Sequence, residues 1–239
     1  MSPSEEIERA QGASGELVLR RGPAGLEIVA NGVFLVSAAN AGSSRALVTA
    51  AWPRVRGHSL RVLVGGLGIG DALDEALGNE RVAMVTVAEL EPVIVRWFRE
   101  HGGPAARRVA AEERSGRARL VVADVAAVLD APSGGLEAPA GGWDVIALDT
   151  DNGPEWLVRG ENAGLYAPAG LRRVRQALRP GGVAVFWSPE RYPAFEAELA
   201  AVFGWVDTVA AVDVIDGRPL DYTMYVGRRQ DGDVPGSGE

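Results

Sequence analysis

Residues 62–71 read Val-Leu-Val-Gly-Gly-Leu-Gly-Ile-Gly-Asp, and this stretch decides the fold. An apolar run leads into four glycines and then into a segment with helical character. Such glycines allow a tight strand-to-helix turn and let a ligand approach the main chain closely. The dinucleotide fingerprint G-x-G-x-x-G fails because Asp71 stands in place of its last glycine, whereas G-x-G-x-G fits from Gly66 to Gly70. The stretch therefore predicts a ligand site at this turn, and a glycine-rich turn without a ligand is the alternative.

Strands and helices alternate along the chain from residue 60 onward. The predicted strands are 60–64, 82–88, 118–122, 143–148 and 183–187. The predicted helices are 71–77, 92–100, 125–129, 168–178 and 192–202. Nearly continuous apolar strands that alternate with helices indicate a parallel sheet covered on both faces. Two β-rich runs, 207–215 and 221–227, have a spacing that predicts a closing antiparallel pair.

The first 57 residues have a different pattern. Short alternating runs at 16–20, 25–29 and 33–36 are separated by turn signals, which predicts an antiparallel meander. A helix is expected over 43–52, with Ser43 or Ser44 as its N-cap and Pro53 marking its end. The polar ends of the chain are expected to be flexible. The predicted organisation is a flexible N-terminus (1–14), a small β-rich domain (15–57), a larger α/β domain (58–230) and a flexible tail (231–239).

Composition excludes several kinds of chemistry. The 239 residues include no cysteine and no lysine, so thiol catalysis, thiolate metal sites, Schiff bases and Walker-type phosphate loops are excluded. Two histidines far apart in sequence make a histidine-rich metal site improbable, and we expect no metal. A net charge of −8 disfavours binding to nucleic acid or an anionic membrane. The N-terminus lacks an apolar signal core, so we expect a cytoplasmic protein.

Carboxylates stand at the ends of the second and third predicted strands. Glu89 follows Gly70 by 19 residues, which is where doubly wound folds place an acid on ribose hydroxyls. Its neighbour Glu91 precedes Pro92 and is interpreted as a charge at a helix N-terminus. Asp124 is placed to accept a hydrogen bond from an adenine amino group, and it can equally cap the next helix. A capping role is the alternative for Glu89 as well.

Two further acids follow the fourth predicted strand, in Asp149-Thr-Asp151-Asn-Gly-Pro154. Asp149 and Asp151 stand beside a loop that runs to about residue 165, and long loops in compact domains are often functional. Paired acids at this position can bind a cationic group or deprotonate an amine. The alternative is a turn in which these side chains bond to their own backbone.

Together these segments resemble the spermidine synthase family, a branch of the class I S-adenosylmethionine-dependent methyltransferase superfamily. The resemblance rests on residues 64–70, 87–92, 121–124, 143–149 and 178–182, and it spans roughly residues 16 to 229. It implies an α/β fold with a Rossmann-like seven-stranded class I methyltransferase sheet, helices on both faces and a small N-terminal β-meander. It also implies that S-adenosylmethionine or its decarboxylated form binds at the glycine turn, with Glu89 on the ribose and Asp124 on the adenine. The implied cofactor-binding residues are Gly65, Gly66, Gly68, Gly70, Glu89, Leu90, Asp124, Val125 and Asp149, and the implied catalytic residues are Asp149 and Asp151.

The chain departs from the aminopropyltransferase pattern where the family binds amines. Ile69 occupies the position of an aspartate near the donor amine, although Asp71 is close by. Residues 37–45 contain no acid, whereas the family carries several there. The family motif Asp-Ser-x-Asp becomes Asp149-Thr-Asp151, in which the second acid is shifted by one residue or a one-residue gap separates the patterns. A dication such as putrescine needs counter-charges, so these changes argue against polyamine synthesis.

Methyl transfer from S-adenosylmethionine to a small-molecule acceptor is therefore the leading hypothesis, with a homodimer expected. Aminopropyl transfer from the decarboxylated donor is the second hypothesis. A non-catalytic nucleoside-binding module is the third, and a nicotinamide-dependent oxidoreductase is the fourth. Because Ile69 replaces the family aspartate, S-adenosylmethionine is expected to bind at least as well as its decarboxylated form.

Overall fold

A four-stranded antiparallel sheet begins the chain. The computed structural model describes residues 4–131, 139–150, 153, 163–215 and 217–230. The first sheet is a meander of β1 (Glu5–Gly12), β2 (Gly15–Gly22), β3 (Gly25–Ala30) and β4 (Val33–Ser37). Residues 5–12 were expected to be flexible, and that expectation is wrong, because they pair along their length with β2. Their polar sequence lacks the apolar alternation that predicts strands, so the neighbouring strand, rather than local preference, orders them.

A seven-stranded sheet forms the centre of the molecule. Its strands are β5 (Leu60–Gly65), β6 (Val82–Glu89), β7 (Ala118–Val122), β8 (Trp143–Leu148), β9 (Leu178–Ser188), β10 (Val206–Ile215) and β11 (Arg218–Arg228). Their order is β10-β11-β9-β8-β5-β6-β7, and strands β5 to β9 run parallel to one another. The last two form an antiparallel hairpin, with β11 inserted beside β9. The predicted Rossmann-like α/β architecture and its antiparallel end are confirmed.

Helices cover both faces of this sheet. They are α1 (Ala41–Thr49), α2 (Asp71–Gly78), α3 (Pro92–His101), α4 (Gly103–Ser115), α5 (Val125–Asp130), α6 (Ala163–Tyr166), α7 (Pro168–Ala177) and α8 (Pro193–Phe203). Neighbouring strand residues bury on opposite faces: Val62 packs with the helices α1 to α4, and Leu63 packs with α5 to α8. This accounts for the nearly continuous apolar strands in the sequence. Within the described part of the chain, no helix has the length and apolar character needed to cross a membrane.

Two helices differ from expectation. Helix α1 begins at Ala41 after a short 3₁₀ turn, so the expected caps Ser43 and Ser44 lie inside it. Helix α4 was not predicted, because Gly103 and the proline after it are typical of a loop. Its sequence is also strongly polar and contributes few buried residues.

Candidate functional site

A cavity lies at the carboxyl ends of β5, β6, β7 and β8. The register brings these ends to one edge of the sheet, with Gly65 level with Ala88 of β6 and Leu148 of β8. Strand order reverses here, since β6 and β7 lie on one side of β5 and β8 and β9 on the other. Ligands of open α/β sheets bind at such switch points. The N-terminal sheet contributes Ser14, Leu17, Ala30, Leu35 and Val36 to the lining, and we call this part the roof and the strand ends the floor. We call this space the strand-end cavity.

The glycine turn after β5 forms one wall of the strand-end cavity. Gly66 has a φ of +91°, and a Cβ on it would lie 2.4 Å from the carbonyl oxygen of Asp149. Its N–H donates to the carbonyl of Ala88 at 2.9 Å. Gly66 therefore lets the main chains that follow β5 and β8 come into contact. Gly68 also lines the cavity, and it faces Val36 of the N-terminal sheet.

Two of the sequence-predicted glycines lie outside the lining. A Cβ on Gly65 would approach Leu148 to 2.7 Å, so Gly65 allows β5 and β8 to pack. Gly70 has a φ of +95°, and its Cβ would lie 2.3 Å from the ring of Phe98 on α3. These two glycines shape the turn through packing, and a direct part for them in cofactor binding stays a prediction.

Glu89 lies at the floor of the cavity and is buried. Its carboxylate accepts hydrogen bonds from the N–H of Leu67 in the glycine turn and from the N–H of Glu91, both at 2.8 Å. Burial raises the pKa of Glu89 above its ordinary value, while these N–H groups act in the opposite direction. The carboxylate therefore fixes the glycine turn and still presents lone pairs to the cavity. Its neighbour Leu90 also lines the cavity.

Asp124 caps a helix and also lines the cavity, and its contact with adenine stays a prediction. Its side chain accepts a hydrogen bond from the N–H of Ala126 at 2.8 Å, which caps α5. Asp124 and Val125 also line the strand-end cavity. The cap holds the carboxylate in place at the end of β7, next to the region occupied by Glu89.

Asp149 is an acid of the cavity lining whose pKa is strongly raised. It directly follows β8 and lines the floor. Among the described residues, no side chain or N–H group donates a hydrogen bond to its carboxylate. Burial alone raises the pKa of Asp149 to about 7. Asp151, its predicted catalytic partner, lies outside the described residues.

The ionisable side chains that the described residues contribute to the cavity lining are all acids. Five carboxylates contribute to it, namely Asp71, Glu89, Glu91, Asp124 and Asp149. Within the described part of the chain, no arginine or histidine belongs to the lining. Burial raises the pKa of Asp71, and the guanidinium of Arg45 partly offsets this effect from 3.1 Å away. Such a surface favours cationic ligands and disfavours anionic ones.

Glu91 has a role that sequence analysis missed. It stands at the N-terminus of α3, as the sequence indicated, but its side chain makes no capping bond there. Its carboxylate instead accepts from the N–H groups of Ala13, at 2.9 Å, and Ser14, at 2.7 Å. These partners lie 78 and 77 positions away from Glu91 in the sequence, and no local sequence pattern predicts such a contact.

Asp213 restores an acid beside residues 37–45, where the sequence has none. It lies on β10, is buried, and accepts a hydrogen bond from the N–H of Ser43 at 2.9 Å. A Cβ on Gly42 would lie 2.2 Å from its other oxygen. The first turn of α1 is therefore capped by a carboxylate from a distant strand.

One group of acids and a histidine lies outside the cavity lining. Ligand atoms of Glu8, Glu100 and His101 lie within 4.8 Å of one another. Arg96 already donates to both carboxylates, at 3.0 Å to Glu8 and 3.1 Å to Glu100. This arginine supplies the positive charge that a metal ion would bring, so the group is explained as an ion-pair network.

The sequence matches no protein-family model and no curated protein. The structure is similar to that of a spermidine synthase in complex with the transition-state analogue AdoDATO, with a TM-score of 0.71 and 17% identity over 97% of this chain and 75% of that chain. It is also similar to spermidine synthase from Thermotoga maritima, with a TM-score of 0.68 and 16% identity over 97% of this chain and 74% of that one. The chain has the fold of spermidine synthases. The family resemblance stated from sequence motifs is thereby confirmed at the level of the fold.

Proposed function

We propose that this chain is a transferase that binds an adenosyl-sulfonium donor in the strand-end cavity and passes the donor's aminopropyl group to a small amine. The observation that carries the proposal is that the described ionisable side chains of the lining are five acids and include no base. Decarboxylated S-adenosylmethionine carries a sulfonium and an ammonium group, and S-adenosylmethionine adds a carboxylate. An acidic lining favours the donor without that carboxylate.

Different residues of the cavity lining are assigned to different parts of the donor. Glu89 is assigned to the ribose hydroxyls, because a carboxylate can accept two charge-assisted bonds from a vicinal diol. Asp124 is assigned to the adenine amino group at the end of β7. Gly66 and Gly68 allow the donor to lie against the main chain of the turn.

Asp149 is assigned to the acceptor amine. In the transfer, the amine nitrogen forms a bond to the carbon next to sulfur, the carbon–sulfur bond breaks, and its electron pair leaves with the thioether. A base must hold the amine in place and accept its proton. A carboxyl group with a pKa of about 7 is suited to this exchange near neutral pH, since it is available in both forms.

The aminopropyl hypothesis, placed second from sequence alone, is thus better supported than methyl transfer. The similarity to spermidine synthases points in the same direction. Methyl transfer remains the second candidate because of Arg45, which pairs with Asp71 beside the cavity. That pair could take the carboxylate and the ammonium of intact S-adenosylmethionine.

The released nucleoside distinguishes the two reactions. Aminopropyl transfer yields 5′-methylthioadenosine, whereas methyl transfer yields S-adenosylhomocysteine. The test incubates the full-length protein with each donor and a panel of mono- and diamines, and quantifies both nucleosides by mass spectrometry. We expect methylthioadenosine that depends on the amine, at a rate lowered at least 100-fold in Asp149→Asn. Amine-dependent S-adenosylhomocysteine with no methylthioadenosine would favour methyl transfer, and neither product with any amine would contradict the proposal.

A further inference from the structure

The roof of the strand-end cavity is held by one buried carboxylate. The turn between β1 and β2 lies over the cavity, which Ser14 lines. Glu91 is 4% exposed and accepts from the two consecutive N–H groups of this turn, Ala13 to one oxygen and Ser14 to the other. Both carboxylate oxygens are therefore committed to the roof.

The same turn is fixed from its opposite side. Asn31, at the turn between β3 and β4, donates from its side chain to the carbonyl of Ser14 at 2.8 Å and accepts from the N–H of Glu16 at 3.0 Å. A Cβ on Gly12 would lie 2.3 Å from the Glu91 carboxylate, so glycine allows the close approach. The turn is thus clamped between Glu91 and Asn31.

Glu91 also contacts the floor of the cavity. Its main-chain N–H donates to the carboxylate of Glu89 at 2.8 Å. One residue therefore joins the floor acid assigned to the ribose and the turn that covers the cavity. Displacement of the roof would move Glu91 and, with it, an N–H group that orients Glu89.

We infer that Glu91 is a positioning residue that sets the affinity for the adenosyl ligand by fixing the roof turn and Glu89 together. The inference rests on the proposed function. A preformed roof removes the ordering cost that binding would otherwise carry. The ligand is not required to contact the Glu91 side chain.

The test compares Glu91→Gln with Glu8→Gln, a matched control. Glu8 also anchors β1 to α3, through Arg96, but it lies outside the lining. Calorimetry gives the Kd for 5′-methylthioadenosine, a neutral probe, and hydrogen exchange of the Ala13 and Ser14 amides reports the clamp without any ligand. For Glu91→Gln we expect binding at least 10-fold weaker and faster exchange at both amides. For Glu8→Gln we expect a Kd within twofold of the wild-type value.

Asn31→Gly provides a second variant in case Glu91→Gln does not fold. Glycine keeps the positive φ of +50° at this position and removes only the side chain that holds the turn. We expect weaker probe binding, by about threefold to tenfold. If the exchange rates rise in either variant while the Kd is unchanged, or if Glu8→Gln weakens binding as much as Glu91→Gln, the inference is wrong and the proposed function stands. If the wild-type protein binds neither the probe nor either donor, the proposed function fails first.

Discussion

Asp149 is the residue on which the proposed chemistry depends. Its carboxyl group has a pKa of about 7 because burial disfavours the charged form. If the ionised form receives the acceptor proton, kcat/KM rises with pH through about 7 with a dependence on one proton. A pH–rate profile with each active amine tests this. In Asp149→Asn the inflection near 7 should vanish from the residual rate, and an unchanged inflection would assign it to another group.

The same shift predicts a change in stability that needs no substrate. The folded state holds the Asp149 proton up to about pH 7, whereas the unfolded chain releases it near the ordinary value of 3.8. Stability is therefore lost as pH rises between those two values, by at most about 1.4 kcal/mol for each pH unit. Asp149→Asn removes this loss. In denaturant unfolding, its free energy of unfolding should exceed that of the wild type by an amount that grows between these two pH values and levels off above about pH 7. If the stability difference between Asp149→Asn and the wild type is the same at pH 4.5 and at pH 8, the raised pKa is contradicted.

The position of a cavity residue relative to the parallel strands decides whether the sequence predicts it. Glu89, Asp124 and Asp149 stand at or just after the carboxyl end of a parallel strand, so any correct assignment of strands places them at one edge. Glu91 and Asp213 could not be predicted in this way. Their partners lie 77 to 170 positions away, and these contacts depend on how the N-terminal sheet and α1 pack on the rest of the molecule.

At the level of elements, Gly68 and Gly70 of the turn after β5 differ in how much space a side chain would have. Gly70 needs its φ of +95° and the space occupied by the Phe98 ring, whereas a Cβ on Gly68 would meet Val36 at an ordinary 3.5 Å. We expect Gly70→Ala to destabilise the fold by about 3 kcal/mol or more, through backbone strain and overpacking. Gly68→Ala should cost about 1 kcal/mol for its positive φ. Denaturant unfolding measures both values, and equal losses would show that the contact with Phe98 has little weight.

The cap of α1 is a second prediction at this level. Asp213→Ala leaves the buried N–H of Ser43 without its acceptor, which should cost about 1–3 kcal/mol. Asp221→Ala is the control, because Asp221 is exposed on the adjacent strand β11 and should change stability by less than about 0.5 kcal/mol. Thermal or denaturant unfolding compares the two variants. A loss of similar size in both would mean that Asp213 does not stabilise α1 in particular.

The start of helix α1 is a feature that local sequence patterns did not predict. The serines at 43 and 44 are typical N-cap residues, yet the helix begins at Ala41 because Asp213 supplies the acceptor from outside. Strand β1 and helix α4 were missed for a related reason. Their sequences are polar, and their conformations depend on the elements beside them.

At the scale of the whole molecule, two sheets build one site. The seven-stranded sheet supplies the acids, and the N-terminal sheet supplies the apolar roof. The meander is therefore part of the binding site in this account, and Glu91 is its link to the floor. The homodimer expected from sequence stays a prediction.

The central claim is that the strand-end cavity binds an adenosyl-sulfonium cation, and a calorimetric titration of the full-length protein tests it most directly. The ligands are decarboxylated S-adenosylmethionine, S-adenosylmethionine and NAD⁺. We expect the decarboxylated donor to bind most tightly, which reverses the order expected from Ile69 alone. We expect no binding of the dinucleotide, whose phosphates would face the five acids of the lining. Glu89→Gln should weaken donor binding by about 1.5–3 kcal/mol, the scale of hydrogen bonds to a charged group. Binding of NAD⁺ in preference to both sulfonium donors, or donor affinity unchanged in a folded Glu89→Gln variant, would contradict the account.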